Sequence, residues 1–483
     1  MSPIPAEVDV VIAGSGATGL AAAATLCEGG ASVALFERQR SLGGTSNFFH
    51  GTFAVESQMQ RERFIDYSCD EAFKNIMEYS HWRADARLVR AVVDESAATI
   101  TWLQEQGVEF TGQMANMPGA PSTYHVIKGD GQALVKSLAT QARNKGARIH
   151  PDTPVVALSK EGGCVSGVTV EQAGEGLEVA AKAVVIATGG YLNNKEWVKK
   201  YTGHVLGEDL IAVGNTGKLG DGIRMAWEAG AAEAGLETLE LVRVAPVGPE
   251  FAMGNDIEVV AMQPDLYVEV RGRRFCDESI AFYDTHSGNA NARFRSDGFT
   301  FSLFDDSIIE RVLEDGVDRG LSIHIPPGYK PRNVRRELAA AAEATSTEVF
   351  AADSVEGLAR ATGIDPAALR TTIDQYNDHC GRRRDALFAK PARFLRPLVG
   401  PSFYAVKART VCLGTKGGIK VNEKMEVLDE KSEAIPGLFA GGFDAGGMYG
   451  DSYPIRVSSG LSSAFALNSG RIAGRNALRY LGR

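Results

Sequence analysis

The chain has 483 residues, 44% hydrophobic and 23% charged, a globular composition too long for one ordinary core. Its net charge of −9 argues against nucleic acid, which demands a basic face, so Arg271-Gly272-Arg273-Arg274 and Arg382-Arg383-Arg384 read as solvated loops. No stretch reaches the roughly 18 uninterrupted apolar residues of a membrane helix, and no basic segment precedes the first apolar run as it would in a secretion signal.

Residues 8–13, Val-Asp-Val-Val-Ile-Ala, form a short apolar run of the kind found in buried parallel strands. The run stops at Gly14-Ser15-Gly16-Ala17-Thr18-Gly19, and residues 20–28 read as an Ala-rich helix. In such a strand–glycine–helix unit Gly14 makes the tight turn, Gly16 admits a pyrophosphate, and Gly19 lets helix and strand pack closely. Ala17 and Thr18 then lie at a helix N-terminus that offers free amides to phosphate. A second strand, residues 32–36, ends in Glu37, placed to accept hydrogen bonds from ribose hydroxyls. Arg38 follows, and Gly43-Gly44-Thr45-Ser46 supplies a turn that can pass close to a flat ring or a diphosphate.

Further along, residues 71–82, 88–107 and 134–145 show helical spacing of apolar residues, and residues 147–170 alternate in strand fashion around a Gly162-Gly163 turn. Val155 falls in that strand region. Residues 183–186 form another apolar strand that ends in Ala187-Thr188-Gly189-Gly190. The six cysteines are scattered without a CxxC pair and the eight histidines without ligand spacing, which suits a reducing cytoplasm and predicts no metal.

Taken together these segments resemble the FAD-binding family that includes fumarate reductase flavoproteins, urocanate reductase and 3-ketosteroid dehydrogenases. The likeness covers nearly the whole chain. Asn215-Thr216-Gly217-Lys218-Leu219-Gly220-Asp221-Gly222 is similar to the family's TGxxGDG segment, and Ile435-Pro436-Gly437-Leu438-Phe439-Ala440-Gly441-Gly442 to its strand near the C-terminus. The resemblance implies non-covalently bound FAD in a Rossmann-like α/β domain, residues 1–234 and 401–483, with an inserted α+β capping domain at residues 235–400. Asn215, Gly220, Asp221 and Gly442 are then cofactor contacts. Where the family carries an acid after that last strand this chain has Phe443, so Asp444 is the candidate for the ribityl contact. Gly460-Leu461-Ser462 opens the final helix against the flavin, with Ser458 just before it. His50 lies near the flavin in sequence terms, but free FAD is the expectation.

The family divides by how it handles substrate and proton. Fumarate reductases clamp two carboxylates with arginines and histidines; ketosteroid dehydrogenases place tyrosines around a ketone. Against the former pattern, Tyr449 and Tyr453 stand where a histidine and an arginine belong, and Leu241-Val242-Arg243-Val244-Ala245-Pro246 lacks the dicarboxylate enzymes' HPT histidine. Against the latter, Gly450, Tyr453 and Pro454 match without a gap. Arg274-Phe275-Cys276-Asp277-Glu278 resembles the cap's RFxNE segment; four residues later comes Phe282, which cannot carry a proton, and then Tyr283, which can. The resemblance thus implies catalytic Tyr453, with Tyr283 or Tyr449 as base, and a pocket that includes Phe282. Arg456, near the predicted pocket, could bind a substrate carboxylate.

The expectation is an FAD-dependent oxidoreductase acting on a CH–CH bond beside a ring ketone, in a 3-ketosteroid or a smaller oxo-cyclohexane. The same parts run in reverse make an enone or enoate reductase. A third reading is the flavoprotein subunit of an electron-transfer complex. No second complete dinucleotide motif is present, so direct NADH use is not indicated and the electron acceptor stays open.

Overall fold

The computed structural model describes residues 3–214 and 217–483. Strand β1 (Glu7–Ala13) lies inside a parallel sheet, paired with β2 (Val33–Phe36) on one side and with Glu175–Ile186 on the other. Both faces are covered, which is why its apolar run is continuous. The full order is Glu426–Leu428, Ala434–Ala440, Glu175–Ile186, β1, β2, Arg148–His150, with Val155–Glu161 and Cys164–Gln172 attached as an antiparallel extension. Helix α1 (Ala17–Glu28) begins three residues earlier than the expected 20, because Gly16 is extended and hands the chain straight into helical geometry.

Nearly all of α1 is buried, and its alanines let the final helix, Leu461–Tyr480, approach closely. A Cβ on Gly470 of that helix would stand 2.2 Å from the Thr18 carbonyl oxygen, so no larger residue fits the crossing. Two cores result. One unit comprises Met1–Gly203, Ala212–Glu240 and Gly414–Arg483; the other comprises His204–Ile211 and Leu241–Leu413.

The second unit is built on an antiparallel sheet in which Phe403–Thr415 pairs with Thr300–Asp305 and with Val349–Ala352. This ladder retains residues 401–413, so the chain returns to the first unit at Gly414 and not at the expected 401. Residues 204–211 join the second unit too, since Leu210–Ala212 lies beside Phe403–Thr415 in the sheet. Its paired helices, Val355–Thr362 and Pro366–Gly381, start as their sequences suggest: the Ser354 hydroxyl accepts from the Gly357 amide at 3.2 Å and the Asp365 carboxylate from the Ala368 amide at 2.8 Å. No helix among the described residues is long and apolar enough to cross a membrane.

Candidate cofactor cleft and tyrosine site

Beyond the C-terminal ends of β1, β2 and Glu175–Ile186 lies an open cleft of about 860 Å³, lined by residues 13–18, 36–38, 43–46, 187–189, Val155, Lys218, Asp221 and Phe443 among others. Its glycines differ in what they exclude. A Cβ on Gly14, whose φ is +105°, would sit 2.2 Å from the Ala187 carbonyl oxygen, and one on Gly19 would sit 1.9 Å from that of Gly14. Those two serve the chain's own turn and its helix–strand packing. On Gly16 an added Cβ would meet only the Ser46 hydroxyl at 3.5 Å and the Gly43 carbonyl oxygen at 3.9 Å, ordinary contacts, and would intrude on the cleft instead. The second glycine therefore fits a ligand's approach and not the fold's own packing.

The N-cap residue of α1 is Gly16, which has no side chain to cap it, and the first turn holds no acid, so the helix's positive end is turned to the cleft. The Ala17 amide donates to Ser46 Oγ at 2.8 Å. Glu37 accepts from the Ser15 amide at 2.9 Å, the Ser15 hydroxyl at 2.6 Å and the Gln39 amide at 2.8 Å. Its carboxylate is thereby fixed at the cleft wall, with lone pairs remaining for a diol. Arg38 and Asp221, both on the wall, form a 2.8 Å ion pair. Glycine cradle, helix terminus and acid in this order fit a dinucleotide such as FAD.

Several expected contacts lie elsewhere. Gly19, Gly220, Gly442, Asp444, Ser458, Gly460, Leu461 and Ser462 are not on the wall of this cleft, and Asn215 lies outside the described residues. Asp444, expected at the ribityl chain, has its carboxylate turned to the protein's own backbone. It is fully buried, accepting from the amides of Thr188, Gly189 (3.0 Å) and Gly190 (2.9 Å) and from the Thr188 hydroxyl (3.0 Å). Burial raises its pKa, against the lowering effect of those donors. Asp444 pins the turn that lines the cleft instead of reaching into it. Gly220 caps the next helix at φ +84°, where a Cβ would strike Trp197 at 2.5 Å. The Ser458 hydroxyl is committed to the Pro454 carbonyl at 2.9 Å.

Tyr449 and Tyr453 do come together, with ring centroids 5.6 Å apart and each about 2% exposed. The Ser462 amide, in the first turn of the final helix, donates to the Tyr453 hydroxyl at 3.2 Å. Burial, reinforced by the Glu240 charge, pushes the Tyr453 phenol well above its ordinary pKa; burial does the same for Tyr449. Among the described residues the Tyr449 hydroxyl makes no hydrogen bond of ordinary geometry, although the Ser462 side chain lies near enough to lower its pKa against the effect of burial.

Two residues here were not foreseen. Lys416 is buried and paired with Glu240, and its ammonium donates to Ser462 Oγ at 2.6 Å. Its nitrogen lies 3.6 Å from the ring centroid of Phe443, which itself lines the cofactor cleft. Ser462 Oγ donates in turn to Glu240 at 2.9 Å. Arg456, three positions after Tyr453, is exposed.

The remaining candidates belong to the second unit. There the RFxNE-like segment is structural: Arg274 grips Glu278 at 2.8 and 2.7 Å and Asp385 at 3.2 and 2.9 Å, all three buried. Phe282 packs on Phe394, centroids 5.1 Å apart, and the Tyr283 ring lies 5.1 Å from that of His286.

Comparison with known proteins agrees with this geometry. The FAD binding domain family matches residues 9–456. The chain is 35% identical to a vinyl phenol reductase of Lactiplantibacillus plantarum, over 98% of this chain and 96% of that one. It is 27% identical to a fumarate reductase (cytochrome) of Shewanella frigidimarina, over 98% and 77%. Among solved structures it is similar to 3-ketosteroid-delta4-(5alpha)-dehydrogenase from Rhodococcus jostii RHA1, with a TM-score of 0.76, 25% identity, and 99% and 98% of the two chains covered.

Proposed function

The chain belongs to the FAD binding domain family, and from that premise we propose that it is an FAD-dependent reductase of a carbon–carbon double bond conjugated to a ring oxygen, as in an enone or a para-vinyl phenol. The observation that carries this reading is the Ser462 amide donating into the Tyr453 hydroxyl. A phenol so held is a neutral proton donor, and an amide at a helix N-terminus stabilises the charge left on its oxygen once the proton has gone. FAD, when bound and already reduced, would supply the hydride to one carbon of the double bond and end oxidised. Tyr453 supplies the proton to the other. The buried Tyr449 hydroxyl is then the group that meets the substrate oxygen, since a buried donor calls for a partner.

Phenols at 449 and 453 suit a single neutral oxygen and lack the positive charge that a dicarboxylate needs. The likeness to a vinyl phenol reductase over nearly the whole of both chains favours reduction over desaturation. The reverse reaction, desaturation beside a ring ketone, is the second reading, favoured by the Gly450, Tyr453, Pro454 pattern and the likeness to a ketosteroid dehydrogenase. Tyr283 remains the alternative proton carrier in either direction.

The test is anaerobic. Protein loaded with FAD and reduced chemically is mixed with 4-vinylphenol, cyclohex-2-enone or fumarate. The reading expects the oxidised flavin spectrum to return with one or both of the first two. Return with fumarate alone would overturn it, and bleaching of oxidised protein by a cyclic ketone would favour the second reading.

A further inference from the structure

Lys416 has a side chain with no solvent exposure, in the first unit and away from the chain's surface. Burying an ammonium with a carboxylate costs more in lost hydration than the pair's attraction usually returns, and an apolar residue of similar length would fill the same space. Its placement, by contrast, is specific. The nitrogen lies 3.6 Å from the ring centroid of Phe443, 5.3 Å from that of Tyr453 and 5.6 Å from that of Tyr449. It donates to Ser462 Oγ at 2.6 Å, and the amide of the same Ser462 donates to the Tyr453 hydroxyl at 3.2 Å. Glu240 closes the group, bonded to both Lys416 and Ser462.

We propose that Lys416, locked by Glu240, is a positioning residue whose cation offsets the charge left on Tyr453 when that phenol gives up its proton, and which holds Ser462 against the Tyr453 oxygen. The inference rests on the reading of Tyr453 as proton donor. Burial makes a phenolate costly at this position, and the Glu240 charge opposes it further. The Ser462 amide alone is a weak counterweight. A cation beside the rings, pinned by a carboxylate so that it cannot swing away, supplies the missing one. The groups that face Tyr453 and bear on its ionisation are Lys416, Glu240, Tyr449, Tyr124 and Ser462.

The test replaces Tyr453 by 3,5-difluorotyrosine in the FAD-loaded protein, bringing the phenol's ionisation into an accessible pH range where its absorbance reports it. Lys416→Met should raise the midpoint by about one to three pH units, and Lys416→Arg, which keeps the charge, should hold it near the starting value. If Lys416→Met fails to fold around its stranded carboxylate, Lys416→Met with Glu240→Gln strands no charge, and its midpoint should lie above that of Glu240→Gln alone, because those two variants differ only in the cation. In turnover, Tyr453→Phe and Tyr453→Phe with Lys416→Met should lose activity equally, because the lysine acts through the phenol. An unmoved or lowered midpoint, or losses that multiply, would overturn the proposal. Full activity in Tyr453→Phe would instead overturn the proton-donor reading, a separate outcome.

Discussion

The hydroxyl of Ser15 donates to the carboxylate of Glu37 at 2.6 Å, tying the middle of the glycine turn to the end of the second strand. The Ser15 amide reaches the same carboxylate oxygen at 2.9 Å. The acid proposed to meet a ribose is therefore oriented by the protein's own donors.

Glu37→Gln replaces one carboxylate oxygen with a donor and removes the charge that strengthens these bonds. Hydrogen bonds to charged groups contribute about 2 kcal/mol, so FAD should bind roughly 30-fold more weakly. Titration of FAD into deflavinated protein, followed by flavin fluorescence, checks this. Unchanged affinity would remove Glu37 from the cofactor site.

Asp444→Asn should act on the fold before it acts on the cofactor. All four donors that reach Asp444 come from the 188–190 turn, and an amide nitrogen facing them leaves buried donors unpaired. The expected loss is about 2 kcal/mol in urea unfolding of the FAD-free protein. Weaker FAD binding without a stability loss would mean that Asp444 contacts the cofactor directly.

His125 gives the first unit a pH dependence. Its ring is buried, with Ser57 Oγ at 2.7 Å from Nε2 and the Thr123 carbonyl at 3.0 Å from Nδ1, and burial lowers its pKa to about 4. The unfolded chain takes up the proton near pH 6.5 while the folded one resists, so stability holds above that pH and falls as the pH drops towards 4. Lowering the pH from 7 to 5 should cost about 2 kcal/mol through this residue alone, and His125→Gln should flatten that part of the curve. An equal slope in the variant would show that other groups set it.

Local pattern made the cofactor frame legible: strand, glycines, helix, strand and acid lie within residues 7–37, where each feature has a short-range cause. The paired helices at Val355–Thr362 and Pro366–Gly381 likewise carry their start signals locally, in Ser354 and in Asp365-Pro366. What escaped depended on contacts distant in sequence. Nothing near Asp444 says that its carboxylate turns to residues 188–190, and an acid two residues past a cofactor strand reads as a ligand contact. Lys416 and Glu240 meet only when Gly414–Arg483 and Ala212–Glu240 fold into one unit. The boundary at Gly414 was missed because Phe403–Thr415 is a single strand whose partners set its allegiance.

The most direct measurement is the single-turnover reoxidation of reduced Tyr453→Phe by an accepted vinyl phenol or enone. Phenylalanine keeps the ring beside Tyr449 and removes only the proton and the acceptor of the Ser462 amide. The account predicts a variant that still binds FAD and is still reduced, yet reoxidises about 10²- to 10⁴-fold more slowly than the wild type. Reoxidation at the wild-type rate would contradict it.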